Sequence, residues 1–167
     1  MNFTDLKNLI CQHFDQDTIL KIDDTALQPS ITVAVGQLAE VCVFLHEDER
    51  LFFDHLACLT GIDNGNVIGT MEVIYNLTSL VYEHDLMLKV IVARNKEDEL
   101  LPKIPTISHI WRAADWHERE TYDLLGIEFE NHPDLRRILM PADWQGHPLR
   151  RDYEPQQTYH GIRVAFE

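Results

Sequence analysis

Apolar and polar positions along this chain follow two periods, and the places where the period changes mark its elements. Leu6, Leu9, Ile10, His13 and Phe14 recur at helical spacing, which predicts an amphipathic helix over 5–14 with Thr4 as its N-cap. Ile19–Ile22 and Ile31–Val35 are short strand-like runs, with Gln28-Pro29-Ser30 as a turn before the second. Residues 37–47 bring Leu38, Val41, Cys42 and Leu45 to one side of a second helix. Leu51–Thr60 fits both periods, and the loop GIDNGNVIG (61–69) that follows favours a strand. Met71–Leu80 is rich in β-formers, and His84–Ala93 alternates Leu86, Leu88, Val90 and Val92 against Met87, Lys89 and Ile91. Joined through Tyr82–Asp85, these two runs predict an antiparallel hairpin. Pro102 and Pro105 precede a further helix that reaches Leu125, and Gly126 suits the left-handed position that ends it. The elements predict an α+β fold: a mixed, largely antiparallel sheet with helices packed on one face, followed by an extended C-terminal segment.

Beyond Gly126 the pattern changes. From 127 to 167 no period persists, and Pro133, Pro141, Pro148, Pro155, Gly146 and Gly161 interrupt the chain. Fully extended, this stretch would reach roughly 130 Å. Leu135, Ile138, Leu139, Met140, Trp144, Leu149, Tyr153 and Tyr159 are too many apolar side chains for a solvated linker. All five of its basic residues are arginine (Arg136, Arg137, Arg150, Arg151, Arg163), and arginine with aromatics is the composition of an interface. The sequence thus divides into an α+β domain over 1–126 and an aperiodic strap over 127–167. With no core of its own to fold onto, the strap is expected to order against another protein.

The densest chemistry lies in WRAADWHERETYDLLGIEFENHPDLRRIL over 111–139, which opens with the helix before the strap. At about 100° per residue, Glu118, Thr121, Tyr122 and Leu125 share one stripe, while Trp116, Arg119 and Asp123 lie opposite and point away from the core. A carboxylate in the middle of an apolar stripe needs a partner. Glu118 therefore reads as a structural acid held by an arginine or by backbone N–H groups, or as a proton-handling group with a raised pKa. In the structural reading, Glu118→Gln impairs assembly with a partner before it alters any chemistry. His117 and Glu120, at i, i+3, resemble a metal pair, but nothing at helical spacing completes a ligand set.

The 167 residues carry a net charge of −14, which disfavours phosphate backbones and anionic lipid as partners. Seven acids against five arginines leave the strap at −2 and the preceding 126 residues at −12. Cys11, Cys42 and Cys58 form no C-x-x-C and read as reduced thiols of a cytoplasmic protein. The N-terminus lacks the basic-then-apolar order of a signal peptide, and no apolar run approaches ~18 residues. Nucleotide-binding and nucleophile motifs are missing. An isolated acid–base enzyme built on Glu118 and His117 is the reading this disfavours.

The run Glu118-Arg119-Glu120, Asp123-Leu124-Leu125, His132, Arg136 and Ile138-Leu139 resembles the signature of the 30 kDa, or C-subunit, family of respiratory NADH:quinone oxidoreductase (complex I). Leu139-Met140-Pro141, Asp143-Trp144, Gly146-His147-Pro148-Leu149-Arg150 and Asp152-Tyr153 are similar to that family's C-terminal run, and Leu59-Thr60-Gly61-Ile62-Asp63 and Ile110-Trp111 to its milder landmarks. The likeness covers roughly 30–154. It departs from the family at Arg112-Ala113-Ala114, where proline and glycine are common, and has no pattern for Gln156 onward.

The resemblance implies a structural subunit of the peripheral arm, held on the cytoplasmic side of a bacterial inner membrane through its partners. Those partners would be the D subunit (the 49 kDa homologue) and the B subunit. It implies no catalytic residue, no cofactor and no metal in this chain, with flavin and iron–sulfur clusters in other subunits. Its motif points to a partner interface of Glu118, Arg119, Glu120, Asp123, His132, Arg136, Arg137, Trp144, Arg150, Arg151 and Tyr153. Two alternatives remain open: the equivalent subunit of a related membrane-bound hydrogenase or other complex I-like oxidoreductase, and a protein-binding adaptor outside respiration.

Overall fold

The computed structural model describes residues 1–96 and 99–164. Helix α1 (Phe3–His13) buries Leu6 and Ile10. Its cap is Asn2 rather than Thr4: Asp5 N–H donates to Asn2 Oδ1 at 2.9 Å, and Asn2 N–H donates back to Asp5 Oδ2 at 3.3 Å. This reciprocal box satisfies two otherwise orphaned donors, which a lone Thr4 hydroxyl cannot do. Strands β1 (Ile19–Asp23) and β2 (Ser30–Val33) follow, then a short 3-10 turn and helix α2 (Leu38–Glu47), which buries the four side chains expected of it.

Strands β3 (His55–Asp63), β4 (Thr70–Ser79) and β5 (His84–Ala93) complete a five-stranded sheet in the order β1-β2-β5-β4-β3. Only the β2–β5 pair is parallel, so the sheet is mixed and mainly antiparallel. The β4–β5 hairpin pairs from Thr70 with Ala93 to Ser79 with His84, which moves its turn to 80–83. Along β4, Met71, Val73, Tyr75, Leu77 and Ser79 are buried while the residues between them are half-open, so one face receives the helices. The strand expected over 51–60 starts later and runs to Asp63, because 51–54 turn the chain to bury Leu51 and Phe53 with Phe52 outside between them.

Strand β6 (Lys103–Pro105) precedes helix α3 (Ala113–Leu125), and the strap's first residues form β7 (Glu128–Glu130), parallel to β6. Gly126 ends α3 at φ 69°, as its position predicts. Ile127 and Phe129 are buried in the main core. The expectation that the last quarter has no internal surface is therefore corrected. The aperiodic stretch begins with two core side chains and a strand, too short for any period to show. Beyond Asn131 the strap returns along α3 and the β3–β4 end of the sheet, and a hairpin of β8 (Thr158–Tyr159) and β9 (Ile162–Arg163) follows.

Helix α3 lies close against β3 because Gly61 has no side chain. A β-carbon there would overlap Leu125 Cδ1 and stand 2.8 Å from Thr121 Cγ2. Overpacking such a contact costs about 1–3 kcal/mol. Gly61→Ala is accordingly expected to lower the urea midpoint by a stability loss of that size, with the slope unchanged.

Candidate functional site

Helix α3 carries a polar group on each of two sides, and each is enclosed by a different part of the chain. Glu118 is fully buried on the core side. Its Oε1 accepts Ile107 N–H at 2.8 Å and its Oε2 accepts the Thr106 hydroxyl. No lysine or arginine pairs with it among the described residues; its partners are a hydroxyl and a backbone N–H from the segment between β6 and α3. Burial pushes its carboxyl from 4.5 to about 7, against the two hydrogen bonds, which pull it down.

The other side of α3 was expected to look outward; Trp116 does, whereas the strap covers Arg119 and Asp123. Asp123 is fully buried and acts as the hub. Its Oδ2 accepts the backbone N–H groups of Ile138, Leu139 and Met140 at 2.9, 2.7 and 2.9 Å. Its Oδ1 accepts from Arg137 at 3.0 Å, and Arg137 reaches on to the Gly146 carbonyl at 2.9 Å. Burial pushes the Asp123 carboxyl up, but the three N–H groups and Arg137 outweigh it and hold it below the usual carboxylate range. Arg119, also buried, lies 4.8 Å from the Trp116 ring centre and 3.8 Å from Asp134. Three consecutive N–H groups on one oxygen give a turn that no side-chain periodicity announces.

A second anchor holds the strap to the sheet. Asp63, at the end of β3, accepts from Arg94 at 2.8 and 3.1 Å, from Gly65 N–H at 2.9 Å and from Arg151 N–H at 3.0 Å. Burial pushes its carboxyl up, yet those donors hold it at about 2. Arg94 also pairs with Asp152. Arg150 caps the helix end, donating to the carbonyls of Leu125 (2.7 Å) and Gly126 (3.1 Å) and to Asn95 Oδ1 (2.8 Å). His147 Nδ1 bonds the Asp123 carbonyl at 3.0 Å.

The other motif residues are placed as follows. His132 has a fully enclosed ring; Nε2 donates to the Asp115 carbonyl at 3.1 Å and Nδ1 accepts Asp134 N–H at 3.0 Å. Trp144 donates to Tyr153 Oη at 2.9 Å. Arg136 is exposed beside Asp134, and Arg151 turns its side chain outward. Glu120 is exposed at a shallow groove between β3 and α3 that His117 and Leu149 also line. Among the described residues, no group of three or more His, Cys, Asp or Glu side chains is gathered for a metal, so His117 and Glu120 remain a pair. Asp63, Arg94, Thr106 and His147 were not among the expected site residues; the signal for Asp63 was its place in Leu59–Asp63.

The sequence and the fold of this chain both have counterparts among known proteins. The family model described as "Respiratory-chain NADH dehydrogenase, 30 Kd subunit" matches residues 31–159. The chain belongs to that family. The C subunit of the NADH-quinone oxidoreductase of Chloroherpeton thalassium is 48% identical over 152 residues, covering 90% of this chain and 60% of that protein. The chain thus spans less than two thirds of that relative's length. The C subunit from Chlorobium phaeobacteroides is 38% identical over 152 residues, with 90% of this chain and 88% of the relative covered. The corresponding Geobacter sulfurreducens protein is 40% identical over 143 residues, covering 83% and 82%. In fold, the chain is similar to a chain of the membrane-bound sulfane sulfur reductase, an archaeal respiratory membrane complex. The TM-score is 0.72 at 19% identity, over 90% of this chain and 85% of that one. No helix among the described residues is long and apolar enough to cross a membrane.

Proposed function

We propose that this chain is a structural subunit of a membrane-bound NADH:quinone oxidoreductase, binding no cofactor itself and supporting electron transfer from NADH to quinone coupled to proton translocation. It would stand on the cytoplasmic side of a bacterial inner membrane, held there through the D and B subunits. One observation carries the reading. The strap turns Arg137 and Arg150 inward onto α3, while its Leu139 and Leu149 stay 60% exposed and Trp116 of α3 is 63% exposed. A solvated loop does the reverse. Apolar and aromatic groups held outward on a rigid polar frame suit a partner that buries them. The chain's own part is then to hold a neighbouring catalytic subunit in shape, as a supporting layer does for a site it does not touch.

The test is a double variant, Leu139→Asp with Leu149→Asp, in the full-length chain. Both side chains are largely solvated, so urea stability is expected to change by less than about 0.5 kcal/mol. Recovery of the D subunit with the tagged chain from native membranes is expected to fall by roughly tenfold or more. Wild-type recovery with either membrane partner would sink the proposal. Ending the chain at Gly126 is a poorer test, because it removes Ile127 and Phe129 from the core.

A further inference from the structure

At the opposite end of β4 from the Asp63–Arg94 anchor, two loops display chemistry that the strap does not use. The α2–β3 loop (48–54) and the β4–β5 turn (80–83) are locked to each other. Tyr82 Oη donates to the Glu49 carbonyl at 2.7 Å, Leu80 N–H donates to Asp54 Oδ1 at 2.9 Å, and His84 Nε2 bonds the Leu51 carbonyl at 2.7 Å. On this fixed frame Leu80 is 63% exposed, Val81 62%, Tyr82 46% and Phe52 38%. Rigid loops holding large apolar groups in water are unusual unless something covers them.

Phe52 sharpens the point. Its φ is +40°, a region that favours glycine or asparagine and strains a bulky residue. The turn itself is required: Phe52 N–H donates to the Asp48 carbonyl at 2.8 Å, Asp54 N–H donates to the Phe52 carbonyl at 2.9 Å, and Leu51 and Phe53 are fully buried on either side. A glycine would serve that turn better. A phenylalanine there adds strain and leaves a ring 38% exposed, with His46 6.4 Å away as its ring neighbour, so a partner covering the open part would add to what the fold gains from it.

The surrounding charge says what kind of partner fits. Glu47, Glu49, Glu83 and Asp85 are exposed around these loops, and the one arginine among them, Arg50, is closed on Asp48 at 2.6 Å. An acidic rim around an apolar centre is complementary to an apolar patch ringed with lysine or arginine, and it repels anionic lipid. We propose that this end of the sheet is a second docking surface, separate from the strap, for a protein patch of that composition.

The test compares amide exchange in the isolated chain and in the assembly recovered with it from native membranes. Amides of 49–53 and 80–83 are expected to exchange at least roughly tenfold more slowly in the assembly. Phe52→Gly is expected to change stability by less than about 1 kcal/mol, because relief of the strained backbone offsets the lost ring packing and the freer unfolded chain. Its retention in the assembly through a salt wash is nevertheless expected to fall about fivefold, and Val81→Glu to do the same. Unchanged exchange at both loops, or wild-type retention of both variants, overturns the docking surface and leaves the strap reading intact. Recovery of the chain as a monomer overturns both.

Discussion

Asp123→Ala is expected to destabilise the chain by about 3 kcal/mol and to release the strap from α3. The substitution leaves the N–H groups of Ile138, Leu139 and Met140 and the Arg137 guanidinium without their acceptor. An unmet buried donor costs about 1–3 kcal/mol, but the strap is free to swing into water, which limits the total to what its docking contributes. The loss should therefore be local. Amides 138–140 are expected to exchange freely while those of β4 and β5 stay protected. Asp123→Asn can keep its amide oxygen on the three N–H groups but turns its NH₂ toward the Arg137 guanidinium, so it is expected to lose the ion pair and fall between wild type and alanine. Slow, wild-type exchange at 138–140 in the alanine variant would show that Asp123 is not the hub.

Acid should act in the same direction. The Asp123 and Asp63 carboxyls are both held below their ordinary values in the folded chain. A depressed carboxyl contributes its stability above the unfolded pKa, near 3.9, and loses it as pH falls through the folded value. For Asp63 that value is about 2, so the sheet anchor is expected to fail between about pH 4 and pH 2.

Glu118 works with the opposite sign and produces the second large effect. Its carboxyl rises from 4.5 to about 7 because burial penalises its charged form, so between those values the folded chain keeps a proton that the unfolded chain gives up. Stability from this group is complete below the unfolded value and is lost as pH climbs through about 7, a total of about 3 kcal/mol. Glu118→Gln removes the dependence. Its amide oxygen can accept Ile107 N–H and its NH₂ can donate to Thr106 Oγ1, so both hydrogen bonds survive. Urea unfolding at pH 5 and pH 8 should show the variant gaining about 3 kcal/mol on the wild type across that interval. Parallel profiles would mean that Glu118 does not titrate in the folded chain over this range. The sequence suggests that this variant impairs assembly; the two preserved hydrogen bonds instead predict that it folds and assembles at neutral pH.

Much of the body is legible in the sequence because its signals are local. The residues that alternate in 71–93 also pair with one another, so the hairpin follows from a contiguous stretch and a short turn. The α2 stripe and the left-handed position at Gly126 are likewise statements about neighbours in the chain. Glu118 was visible as a carboxylate on an apolar stripe, and one of its alternative partners, a backbone N–H, is the one present. The arginine is not there, although five lie downstream, because the segment ahead of α3 reaches the carboxylate first.

What the strap does was hidden for a physical reason. Periodicity reports which side of an element is apolar, and it cannot report that a polar side will be covered by a later stretch bonding through its backbone. Asp123 is read as outward-facing from its stripe, yet its partners stand 14–17 residues on, and three of them are main-chain N–H groups with no side-chain signature. Asp63 meets Arg151 N–H across 88 residues. By itself the sequence determined an α+β body, a capped third helix and an arginine-rich segment of interface composition. Only the tertiary structure decided that this segment first satisfies its own chain, because its anchoring rests on backbone donors meeting buried carboxylates far away in the sequence.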